Sequence, residues 1–138
     1  MSPNDLMYET IDQATGKIVG NGESPYHGER LIKGPIRVSG GGGRIVIGSG
    51  DIYSTSDLQV VKSLGSSFLD AQWLDDGSLV TMASSGTDTA KVTLYNASFA
   101  IVKDQVFAGA PQALVKTGGS IFAVTIVADK PKVNSFIP

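Results

Sequence analysis

Three hairpins recur at a fixed interval along the chain. IDQATGKIVG, IYSTSDLQVVKS and LYNASFAIVKDQ turn near Thr15, Ser56 and Ala97, a spacing of 41 residues in both steps, and IVADKPKVNSF repeats the pattern more loosely. A fixed period of this length marks a repeat architecture, in which each unit must bury its apolar face against the next. A second set interleaves with the first. IRVSGGGGRIVIG, AQWLDDGSLVTMA and ALVKTGGSIFAV each join two apolar runs through a Gly-rich turn, at Gly43, Gly77 and Gly119. Two hairpins per period predict four-stranded antiparallel sheets. No segment keeps apolar residues at helical spacing over three turns, so helix should be almost absent.

Four-stranded antiparallel units repeated in this way are the blades of a β-propeller. The spacing predicts an outer hairpin of an incomplete blade over residues 1–20, a blade over 36–64 and a second over 70–107. A three-stranded last blade follows over 112–138, all within one segment spanning 1–138. The strands RIVIG and SIFAVTIV are apolar on successive residues. A strand wetted on one face would alternate, so both should be buried on both faces. Ile45, Ile47, Val80, Phe122 and Val124 are the expected core.

Composition narrows the function classes. There is no cysteine and a single histidine, which excludes disulfides, thiolate metal sites and a multi-histidine centre within one chain. The net charge is −2 and the eleven basic residues are scattered, unlike the concentrated positive field that a nucleic-acid surface requires. No apolar run is long enough for a membrane-spanning helix. The opening MSPNDLMYETID lacks the basic and apolar regions of a signal peptide.

The motifs resemble those of the YVTN-type and related bacterial β-propellers, in which strand, S-P-D-G turn and strand precede a hairpin of the form I-D-x-x-T-G-x-V. IDQATGKIVG matches the hairpin closely and WLDDGSLV matches the turn, whereas GPIRVSGGGGRIVIGSGDIY replaces Pro-Asp by glycines and inserts a residue. The resemblance implies an all-β partial β-propeller of consecutive four-stranded antiparallel blades, from a secreted or surface-exposed bacterial protein and hence extracellular or cell-surface. About three blades fall short of the four to eight that close a ring. The chain is therefore expected to be the C-terminal part of a longer protein, or one of several copies that complete a ring. Its partners would be the remaining blades of a parent chain, other copies of itself, or a protein or carbohydrate ligand.

Candidate chemistry is sparse. GESPYHGER joins one blade to the next, on the side where propellers commonly hold ligands near the channel. Tyr26, His27 and Arg30 are its candidate binding residues, with His27 able to act as acid or base; equally, they can be polar loop residues that bond to neighbouring blades. Asp70 and Gln112, at equivalent positions where successive blades begin, are the other candidates. Gly40–Gly43 leads into a strand rather than a helix, which rules against a phosphate cradle. Asp75 and Asp76 read as turn carboxylates, Thr87–Thr89 is too sparse for a calcium loop, and Trp73 reads as core. With no nucleophile–base pair, no metal cluster and no cofactor motif, the expected function is a non-catalytic scaffold or binding module. The alternatives are part of a propeller hydrolase, lactonase or lyase whose site lies mostly outside this chain, and a self-associating propeller segment.

Overall fold

A computed structural model describes residues 5–138 and contains thirteen strands and no helix among them. β1 (Met7–Ile11) and β2 (Ile18–Glu23) form a two-stranded hairpin. β3 (Ile36–Val38), β4 (Arg44–Ile47), β5 (Asp51–Ser54) and β6 (Val60–Ser63) form a first four-stranded sheet. A second comprises β7 (Asp70–Trp73), β8 (Leu79–Gly86), β9 (Thr89–Tyr95) and β10 (Ile101–Ala108). β11 (Ala110–Thr117), β12 (Ser120–Val127) and β13 (Lys130–Phe136) form a three-stranded sheet. Every sheet is an antiparallel meander in chain order.

The turns follow from their residues. All three Gly-rich turns join the first and second strands of a sheet. The glycines that adopt positive φ in them are Gly42 (71°), Gly77 (84°) and Gly118 (58°). In the hairpin β1–β2, Asp12 Oδ1 accepts from the Thr15 N–H at 2.7 Å and the Thr15 hydroxyl at 2.8 Å, a local side-chain brace that favours the turn. The Ala128–Asp129 turn joins the second and third strands of its sheet, with both residues at positive φ. IVADKPKVNSF is therefore equivalent to the Gly86–Thr89 turn, not to the three outer hairpins with which its sequence groups it.

Sheets pack face to face, and apolar side chains sort by strand alternation. Val46 and Ile52 from the first sheet meet Phe68, Ala71, Trp73, Leu79, Tyr95 and Phe99. On the opposite face of the first sheet, Ile45, Ile47 and Tyr53 pack with Leu58 and Leu6, bordered by Tyr26 and Ile32. Val80, Met82, Val92 and Leu94 of the second sheet pack on Leu114, Ile121, Ala123 and Phe136 of the three-stranded sheet. Successive residues of β4 and β8 are buried because each strand has a neighbour on both sides. Each fully buried aliphatic side chain contributes about 1.5–3 kcal/mol relative to exposure.

β12 departs from that expectation. Ile121, Ala123 and Thr125 are buried, whereas Phe122 and Val124 are only half-buried. The physical reason is the position of the sheet: among the described residues it has a packed neighbour on one face and none on the other. Cross-strand register places Val115 opposite Phe122, and Val124 opposite Val133. These four side chains form an uncovered apolar face, with Val115 and Val133 exposed.

Candidate functional site

Four of the five residues singled out by sequence divide into two groups. The first is the turn Pro25–Gly28, which follows β2 and joins the hairpin to the first four-stranded sheet. His27 (φ 45°) and Gly28 (φ 88°) both take left-handed backbone, which reverses the chain sharply. This conformation brings the Gly28 N–H to Asp5 Oδ1 at 2.9 Å. The Tyr26 hydroxyl donates to Gln59 Oε1 at 3.2 Å and accepts from the Val60 N–H at 2.7 Å. Its ring meets Tyr53 edge-on, with centroids 6.2 Å apart. Arg30 stacks on the Tyr26 ring and reaches Asp51 Oδ2 at 3.4 Å.

Tyr26 and Arg30 thus fasten the connection to the third and fourth strands of the first sheet. Packing sets that location: the Tyr26 ring borders the cluster of Ile47, Tyr53 and Leu58. Tyr53 itself is fully buried, its hydroxyl finds no hydrogen-bond partner, and burial raises its pKa, with the Asp51 charge adding to the effect.

His27 stands apart from that anchoring. Its imidazole is two-thirds exposed, with Nδ1 3.6 Å from Glu23 Oε1 and 3.8 Å from Asp5 Oδ2. One ligand atom from each of Asp5, Glu23 and His27 lies within 4.8 Å of the others. Sequence reading had supplied no partner for His27. The β1–β2 register supplies one: Met7 pairs with Glu23, and the Ser24 N–H donates to the Leu6 carbonyl. Extending the IDQATGKIVG hairpin in that register carries Asp5 alongside residues 23–25, a signal that was available.

Asp70 belongs to the second group, a polar seam between the first strands of three sheets. Its Oδ1 accepts from Arg37 Nη2 on β3 at 2.7 Å and from the Ala71 N–H at 2.8 Å. Oδ2 accepts from the Leu114 N–H on β11 at 2.8 Å. Gln72 Nε2 donates to the Leu114 carbonyl, Trp73 Nε1 donates to the Arg37 carbonyl, and Lys116 pairs with Asp75 while also reaching the Trp73 carbonyl. Each of the charges in the seam is paired. Asp70 is buried and both its oxygens are engaged within the protein. Arg37 was not anticipated; only its place in a short first strand pointed to it.

Gln112 is exposed and sits at the bulge where the β11–β12 register shifts between Pro111 and Ala113. No hydrogen bond joins His27 or Arg30 to Asp70 or Gln112 among the described residues. Tyr26, His27 and Arg30 thus stand apart from Asp70 and Gln112. A groove of about 550 Å³ between the Gly-rich turns is lined by Ser39, Gly41, Arg44, Trp73, Asp75 and Gly77, and contains none of the five.

No helix is long and apolar enough to cross a membrane. The chain matches no protein-family model and no curated protein. Among solved structures it is similar in fold to the crystal structure of the computationally designed Ika4 protein, with a TM-score of 0.60 at 14% identity over 100% of this chain and 88% of that one.

Proposed function

We propose that the chain is a segment of a β-propeller, its sheets consecutive blades, acting as a non-catalytic scaffold or binding module whose terminal faces are completed by further blades. The observation that carries this reading is the uncovered face of the three-stranded sheet. Val115, Phe122, Val124 and Val133 stand there as Val80, Met82 and Val92 stand on the covered face of the preceding sheet. A contiguous apolar face built like an internal seam is an interaction surface rather than a solvent surface. The seam of Arg37, Asp70 and Leu114, which holds first strands side by side, also supports the propeller reading. So does stacking of sheets in chain order.

Light scattering on size-separated protein tests the proposal. The wild-type chain should assemble beyond its 14.4 kDa mass, in a concentration-dependent way, and Val133→Lys should shift it towards the monomer. A wild-type chain that stays monomeric at every concentration, tolerates Val133→Lys and binds no apolar dye would overturn the reading.

A further inference from the structure

We propose that Asp5, Glu23 and His27 form a binding site for one divalent transition-metal ion of the zinc type. The inference is independent of the propeller reading.

Three segments converge on the site. Asp5 lies just before β1, Glu23 ends β2, and His27 occupies the turn beyond it. The distances from His27 Nδ1, 3.6 and 3.8 Å, are too long for hydrogen bonds. They are close to the separation of about 3.4 Å between ligands around a tetrahedral ion with bonds of about 2.1 Å. The three ligand atoms lie within 4.8 Å of one another, a spacing that one ion between them could bridge.

Asp5 supplies the second observation. Its side chain is only 2% exposed, one oxygen is taken by the Gly28 N–H, and the other is the one nearest His27. Among the described residues no lysine or arginine pairs with it, and the nearby group able to carry positive charge is His27, whose Nδ1 stands 3.8 Å away and is charged only if protonated. A carboxylate buried to that extent is costly unless a positive charge compensates it. An ion held by the three donors would provide that charge without requiring His27 to be protonated.

The donor set selects the ion. Calcium and magnesium take shells of oxygen, whereas an imidazole nitrogen with two carboxylates suits zinc, cobalt or nickel. His27 and Glu23 remain 67% and 40% exposed, so the fourth position faces solvent and would hold water. The bound ion would join the start of the β1–β2 hairpin to the turn that leaves it.

The test is calorimetric titration of the untagged full-length chain with Zn²⁺, since this chain has a single histidine and a tag would add others. One equivalent should bind, and Co²⁺ should give the visible absorption of a tetrahedral site. His27→Ala and Glu23→Gln should each weaken Zn²⁺ binding by at least about ten-fold, while both variants melt like the wild type in metal-free buffer. Absence of saturable Zn²⁺ binding, Zn²⁺ affinity unchanged in both variants, or equal affinity for Ca²⁺ would overturn the proposal.

Discussion

Asp70 shows how a single carboxylate can hold several strands. It accepts two backbone N–H groups and one guanidinium, and these belong to three different sheets. Truncation to alanine would leave the Leu114 N–H without its acceptor and Arg37 without its counter-charge, at a cost of about 3 kcal/mol. Urea unfolding of Asp70→Ala should show a lower midpoint with an unchanged slope; an unaltered midpoint would mean that the seam is dispensable. The residue type at this position was legible, as an inward-facing polar group, but its role was not. A side chain's partners come from strands more than thirty residues away, and nothing local encodes which of them approaches. Arg37 went unnoticed for the same reason. His27 is the contrary case, because its neighbours follow from the register of a hairpin that the sequence does define.

At the scale of the strand, the apolar runs of the two hairpin sets correspond to strands of the sheets. Burial was harder to read. RIVIG and SIFAVTIV look alike, yet Val46 and Ile47 of β4 are fully buried while Phe122 of β12 is not. The difference lies in what covers the sheet, which the strand's own residues do not specify. Ile121→Ala should therefore cost about 2–5 kcal/mol, and Phe122→Ala clearly less in the isolated chain, as read by thermal or urea unfolding. Equal losses would place both faces of β12 in a covered interior. The β9–β10 pair offers a pH test. Asp104 accepts the Thr93 hydroxyl at 2.7 Å and pairs with Lys91 at 3.1 Å, and its pKa is lowered chiefly by the Thr93 bond, then by Lys91. A depressed native pKa stabilises the fold above the ordinary carboxylate range. That contribution disappears as pH falls through this range and below the native value. The stability advantage of the wild type over Asp104→Asn should accordingly be present at neutral pH and shrink in acid. A gap independent of pH would contradict the assignment.

Across the whole molecule, sheets follow one another in chain order; the described packing joins the first four-stranded sheet to the second and the second to the three-stranded sheet, whereas the strands of the β1–β2 hairpin are largely exposed. The 41-residue period made this legible, because a regular return of turn residues permits little else. It did not reveal that the first sheet is covered by Leu6 and the turn after β2, whose side chains fall outside the repeat. Meanders of successive strands also have a kinetic consequence. Pairing partners lie close in sequence, so each sheet closes short loops before any distant contact is needed, which favours rapid formation for an all-β chain. Docking then adds one sheet at a time onto an apolar face already in place, as expected for quasi-one-dimensional folds. During synthesis, the first four-stranded sheet can form before β11–β13 have left the ribosome, so that each sheet meets the next with an apolar face already built.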